Sequence, residues 1–162
     1  MRKTKLIKIL IALLCITTIG LFAQNSAKAE NTNSDTAVFK VKDVVLIGYH
    51  GSDSNVIIRG SAFYNNDDII SVTIPDGVKS IGKSAFEYCQ ALESISIPDS
   101  VKSIGENAFY RCISLKKITI PDGVKNIKEW TFYGCDNLTD VTISKNVTSI
   151  GKSAFSGCKS LK

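Results

Sequence analysis

The chain has 162 residues, 44% of them hydrophobic, and a formal charge of +5, which is enough length for one domain-sized core. Its excess charge sits entirely ahead of residue 30, where Arg2, Lys3, Lys5, Lys8 and Lys28 face no acid; beyond that point basic and acidic residues number 15 each. A neutral remainder with no basic stripe excludes a phosphate-neutralising surface, and with it nucleic acid as a partner.

Met1–Lys8 is basic, Ile9–Phe22 is an apolar run, and Ala27-Lys28-Ala29 supplies a small-residue cleavage site. Together they read as a secretory signal peptide over residues 1–29, cut between Ala29 and Glu30. The run is shorter than the roughly 20 residues a spanning helix needs. The mature chain is therefore expected to be exported, secreted or held at the cell surface, without a transmembrane helix.

Residues 30–37 are polar and aperiodic, and predict a flexible leader. Residues 38–68 carry apolar runs at Val38–Val41, Val44–Tyr49 and Val56–Ile58, separated by turn-rich segments. They predict two or three short strands forming a hairpin-like N-terminal cap. Its last part, Arg59-Gly60-Ser61-Ala62-Phe63, is a degenerate copy of the unit that follows. His50, the sole histidine, lies in a turn with no second ligand nearby, so neither a metal site nor a general base is expected.

From residue 69 to 160 the chain is four 23-residue repeats, opening at Ile69, Leu92, Leu115 and Leu138; Leu161-Lys162 begins a fifth. The copy LESISIPDSVKSIGENAFYRCIS (Leu92–Ser114) shows the pattern most clearly. Ile95 and Ile97 alternate with Ser94 and Ser96, as in a strand with one buried face. Ile-Pro-Asp-Gly in the sister copies (74–77 and 120–123) predicts a type I turn with Pro second and Gly fourth. Val101 and Ile104 point back inward, and Gly105 is expected to permit the next bend. Ala108, Phe109 and Cys112 then have the spacing of one helical turn.

A single unit cannot pay the ordering cost of its backbone, roughly 1–2 kcal/mol per residue, by burying a few side chains at about 1.5–3 kcal/mol each. Stacking must supply the rest. The expected fold is a repeat solenoid: coils about 4.8 Å apart, short parallel β-strands, and one helical or 3-10 turn per repeat.

The pattern L-x-x-I-x-I-P-D-x-V-x-x-I-G-x-x-A-F-x-x-C resembles the BspA-like class of leucine-rich repeats, closely over residues 69–162. The resemblance implies a right-handed leucine-rich-repeat coil in an exported or surface-attached protein, with adhesion to matrix proteins or cells as a function. It defines scaffold positions and no catalytic ones. Lys128 in the Gly column, Thr131 in the Ala column and Ser144-Lys145-Asn146 in place of Pro-Asp-Gly are expected to loosen the third and fourth units without breaking register.

Cys89, Cys112, Cys135 and Cys158 fill one column. They read as free core thiols, with one or two disulfides between adjacent coils as the alternative, since neighbouring Cα atoms about 5 Å apart lie within bonding range. A straight ladder does not surround a metal ion tetrahedrally. No cofactor, metal or catalytic constellation is indicated, and the chain does not read as an enzyme.

The candidate partner-binding face comprises Ser71, Thr73, Ser94, Ser96, Lys117, Thr119, Asp140 and Thr142, which project outward from the strands. Tyr64, Tyr110 and Tyr133, each following the repeat's Phe, form a second candidate strip. The expected partner is an extracellular protein or a host or cell-surface macromolecule. A non-binding spacer, or a fragment of a longer multidomain surface protein, is the alternative. If the chain ends at Lys162, end-to-end self-association is expected through the open coil.

Overall fold

The computed structural model describes residues 56–162 together with the backbone of residues 20–21 and 44–45. The predicted leader and cleavage site, and the candidate strand at Val38–Val41, lie outside the described residues. Eleven short strands are described in chain order. The first five are β1 (Gly20–Leu21), β2 (Val44–Val45), β3 (Val56–Ile58), β4 (Ser71–Thr73) and β5 (Val78–Ile81). They are followed by β6 (Ser94–Ser96), β7 (Ser103–Ile104), β8 (Lys117–Ile120), β9 (Asn126–Ile127), β10 (Asp140–Ile143) and β11 (Ser149–Ile150).

Each 23-residue unit makes one coil and contributes a strand to each of two parallel sheets. The first sheet runs β10-β8-β6-β4-β2 and the second β1-β3-β5-β7, with β9 and β11 paired separately. Between the first two repeats register follows the 23-residue period: Ser71 pairs with Ser94, Thr73 with Ser96, and Ile81 with Ile104, whereas β3 and β5 shift by one residue between Val56 and Ile57. The fold is the predicted β-solenoid.

Inside the coils the apolar columns meet. Leu92, Val101, Ile104, Ala108, Phe109 and Cys112 are buried with their equivalents, and the only buried polar side chains described are Ser84 and Thr131. In the last coil the same columns are more open, with Ile143 and Ile150 exposed.

Of the predicted hairpin-like cap, only Val44–Val45 and the stretch from Val56 onward fall among the described residues. β2 pairs with β4 and β3 with β5, both parallel and in different sheets. The described strands ahead of residue 69 therefore extend the solenoid in parallel, β1 pairing in turn with β3. A parallel edge is best covered by another strand in the same direction, which leaves its ladder groups paired.

The turn at the sheet corner lies one residue later than expected. Val78, Val101 and Val124 donate their N–H to the carbonyls of Pro75, Pro98 and Pro121, so proline opens the turn. The preceding Ile74 N–H still bonds Ser96 O in the ladder, so the isoleucine belongs to the strand. Gly77, third in its turn, takes φ +98°, a conformation costly for any side chain.

The helical turn is replaced by a different device. In the segment from Ser84 to Cys89, the N–H groups of Ala85, Glu87 and Cys89 bond back three residues, to Gly82, Ser84 and Phe86. The alternate N–H groups of Ser84, Phe86 and Tyr88 reach the next coil, at Glu106, Ala108 and Tyr110. Residues two before and two after each Phe take left-handed φ near +55°, among them Ser84, Tyr88, Asn107, Arg111 and Trp130. Half the amides of this limb thus point along the solenoid axis, and a continuous helix, which spends all of them locally, cannot form.

Candidate binding surfaces

The strand face forms as expected. Alternation in the first sheet turns Val72, Ile118 and Ile120 inward, and leaves Thr73, Ser94, Ser96, Lys117, Thr119, Asp140 and Thr142 exposed, with Ser71 half-buried. Register stacks Ser71-Ser94-Lys117-Asp140 in one column through all four coils, and pairs Thr73 with Ser96 and Thr119 with Thr142 in a second column that is not registered between Ser96 and Thr119. Lys117 Nζ lies 3.6 Å from Asp140 Oδ2, so two of the candidate residues pair with each other across coils. The face is hydroxyl-rich, with one ion pair and no aromatic.

Tyr64, Tyr110 and Tyr133 lie on the turn limb, not on the strand face, so the two candidate sets make separate surfaces. A fourth ring, which the repeat pattern did not indicate, completes the tyrosine row. Glu87 occupies the tyrosine position of its coil, and Tyr88, one residue on, supplies the ring instead. Its centroid lies 5.8 Å from that of Tyr64 and 5.5 Å from that of Tyr110, edge-to-face with both. Tyr110 and Tyr133 then stack at 5.0 Å. The clue was available as a Glu-Tyr pair straddling two columns, visible only once the ring is followed in place of the alignment position. The Tyr110 phenol is held above its ordinary pKa, first by partial burial and then by the neighbouring phenols Tyr88 and Tyr133.

Between the coils of residues 92–114 and 115–137 the solenoid opens on one side. β7 and β9 do not pair, which divides the second sheet. β6 and β8 share a single registered pair, Ser94 with Lys117, where β8 and β10 share all four. On the limb, Asn107 N–H reaches Glu129 O at 3.3 Å, against 2.9 Å for Ser84 to Glu106. Farther along it the bonds stay short, at 2.9 Å from Phe109 to Thr131 and 2.8 Å from Arg111 to Tyr133.

Lys128 is the cause. At the equivalent glycines a Cβ would stand 2.4 Å from backbone nitrogen of the preceding coil (Gly82 on Gly60, Gly105 on Lys83) and 2.6 Å at Gly151 on Glu129. These glycines grant close approach, a different role from the expected bend, and none of the three has positive φ. A side chain in that column must hold the coils apart, and Lys128 closes one end of a shallow groove that runs over Gly105 and Glu106 to Gly82 and Lys83 of the coil before. The loosening expected at Lys128 is present, but here register in the second sheet is lost. Thr131 is absorbed fully buried, its hydroxyl donating to Lys128 O at 2.8 Å. The Ser144–Asn146 turn is tied back through Ser144 Oγ to Asp122 at 2.6 Å.

The cysteine column is four free thiols, three buried and Cys158 half-buried. Each thiol donates to the carbonyl of a phenylalanine in the preceding coil, as Cys89 does to Phe63 O at 2.9 Å and Cys112 to Phe86 O at 3.1 Å. Burial pushes the Cys89 thiol from its ordinary 9.0 up to about 12, and raises Cys112 and Cys135 likewise. A protonated donor is an inert one. No group of His, Cys, Asp and Glu that could hold a metal ion exists among the described residues.

The BspA type leucine rich repeat region is matched in six copies over residues 56–162. The chain belongs to the BspA-type leucine-rich repeat family. Among solved structures, the chain resembles a leucine-rich repeat protein from Bacteroides ovatus, with 29% identity and a TM-score of 0.58 over 75% of this chain and 36% of that one. It is also similar to a leucine rich cell surface protein from Faecalibacterium prausnitzii, with 30% identity and a TM-score of 0.54 over 80% of this chain and 44% of the other. The chain thus spans less than half the length of either. No curated protein matches. BspA-type leucine-rich repeats are scaffolds, and among the described residues no helix is long and apolar enough to cross a membrane.

Proposed function

We propose that this BspA-type repeat protein is exported through its N-terminal signal sequence and binds an extracellular protein or cell-surface macromolecule in adhesion. The observation that carries the reading is the strand face, where seven exposed side chains and half-buried Ser71 lie in two columns over four consecutive coils, the Ser71-Ser94-Lys117-Asp140 column in register throughout. A repeated parallel edge-to-edge surface of this kind is an extended platform that varies in chemistry while its backbone stays constant. Similarity to a bacterial leucine rich cell surface protein supports display outside the cell.

The test is binding of the full chain, processed by export, to immobilised matrix proteins and to whole cells. Reversing the ion pair (Lys117→Glu with Asp140→Lys) keeps the local attraction and inverts the charge pattern the partner meets. Binding that falls several-fold in the double variant supports the strand face. Absence of binding to every matrix and cell surface would favour the spacer, a reading that the lack of aromatic anchors on this face also supports.

A further inference from the structure

We propose that Tyr110 and Tyr133 are a covalent modification site, where peroxide acting through a haem peroxidase joins the two rings in a dityrosine bond. The bond staples residues 92–114 to residues 115–137, the two coils already parted at Lys128. The inference goes beyond the adhesion reading and does not depend on it.

Geometry singles out one pair in the tyrosine row. Tyr110 and Tyr133 lie face to face, with centroids 5.0 Å apart and planes within 7° of parallel. Tyr64 with Tyr88 and Tyr88 with Tyr110 stand edge to face, at 81° and 72°. Both arrangements are ordinary aromatic contacts at these separations, but they differ in what oxidation can make of them. A carbon–carbon bond between two phenoxyl rings starts from p orbitals that point along the ring normals. Parallel rings in contact aim these orbitals at each other, and perpendicular rings do not.

The scaffold holds the pair in place. Arg111 N–H donates to Tyr133 O at 2.8 Å, and beneath the tyrosines Phe109 stacks on Phe132 at 5.3 Å. The N–H groups of Tyr110 and Tyr133 bond back to Asn107 O and Trp130 O, at 3.0 and 3.2 Å. Both rings are only half-buried, so an oxidant can reach them. Neither hydroxyl has a hydrogen-bond partner among the described residues. Two radicals held in contact couple in an effectively unimolecular step, an advantage that tyrosines on separate molecules lack.

The step balances with one hydrogen peroxide. Each phenol gives up one electron and one proton, and the peroxide takes both pairs to become two waters. The phenoxyl radicals then couple through carbons ortho to oxygen, each ring supplying one electron of the new bond. Each coupled carbon loses its hydrogen as a proton, and each ring oxygen gains one from solvent, which restores two phenols. The product is lighter by two hydrogens.

The test is treatment of the folded full chain with a haem peroxidase and hydrogen peroxide, read by intact mass, biphenol fluorescence and peptide mapping. The expected product is a monomer lighter by two hydrogens, with the peptides of Tyr110 and Tyr133 joined. Tyr110→Phe and Tyr133→Phe should each abolish it, whereas Tyr64→Phe and Tyr88→Phe should leave its yield unchanged. Melting curves of the untreated variants that match the parent would show that they fold. The bond closes a loop between positions 110 and 133 and should raise the melting temperature by roughly 10 °C. The same treatment in urea should scatter the cross-links, since selectivity lies in the fold.

The proposal is overturned if the folded monomer gains no cross-link, or if Tyr64 or Tyr88 couples as readily as the stacked pair. It is overturned if exposure alone decides, so that Tyr64 and Trp130, 50% and 40% exposed, are consumed first. Tyrosine-linked dimers in place of the internal bond would overturn it too, as would a cross-linked chain that melts no higher. None of these readouts involves binding to matrix or cells, so failure of the adhesion reading and failure of this one are separable.

Discussion

The rings of Phe86 and Phe109 lie 5.4 Å apart at their centroids and within 4° of parallel. The same relation links Phe63 to Phe86, Phe109 to Phe132 and Phe132 to Phe155, so one aromatic column runs through five coils. Phe86, Phe109 and Phe132 are completely buried. Removing Phe109 takes a partner from both neighbours and leaves a cavity in mid-stack. Phe109→Ala is expected to cost about 3–5 kcal/mol by urea denaturation of the full chain. Phe155→Ala, at a half-buried end position, should cost clearly less.

The open junction at Lys128 should close on replacing its side chain. Lys128→Gly is expected to raise stability by about 1 kcal/mol and to slow hydrogen exchange at Asn107 and at the amides of β9. Gly105→Ala tests the same column from the other side. Its Cβ would meet Lys83 N at 2.4 Å, and overpacking against backbone should destabilise by about 1–3 kcal/mol. Equal effects of the two changes would refute the steric role of the column.

The thiols give a pH dependence. Folding holds the Cys89 thiol near 12 against an ordinary 9.0, through burial, so above pH 9 the unfolded chain sheds its protons first. Stability from the thiol column is fully present below about pH 9 and is lost as pH rises toward 12. Thermal melts across that range should show the decline. At pH 8 a thiol reagent should modify Cys158 first and the other three only on unfolding.

The surface ion pairs should matter little. Lys116 Nζ and Glu93 Oε2 are 2.7 Å apart, yet both side chains are half exposed, where screening and side-chain entropy offset the attraction. Lys116→Ala is expected to change stability by less than about 0.5 kcal/mol. A loss several times larger would show that these cross-coil pairs brace the stack.

Most of the scaffold is legible in the columns themselves, because a fixed period forces like residues into like places. Ile95, Val101, Ile104, Phe109 and Cys112 are read as inward from spacing alone, and they are. What spacing hides is where backbone amides go. Ala108, Phe109 and Cys112 have the intervals of a helical turn, yet every second N–H on that limb serves the next coil, a long-range choice that no local propensity reports. The left-handed backbone at Trp130 and Tyr88 escapes notice for the same reason, since neither residue type favours it. On the candidate surfaces, the strand columns follow directly from alternation. The fourth ring at Tyr88 does not, because a side chain can fill a neighbour's place in space while occupying a different place in the alignment.

The one-sided opening beside Lys128 also has a mechanical meaning. A tether that pulls along the solenoid axis loads the junctions in series, so every interface carries the same tension and the weakest yields first. Between residues 92–114 and 115–137 the corner is already parted, while Phe109 and Arg111 hold the far limb by short bonds. Under load that junction behaves as a notch: it peels from the corner toward the limb, breaking contacts one after another instead of all at once. Rupture force is therefore set at one lysine, and the coils on either side can separate as folded blocks.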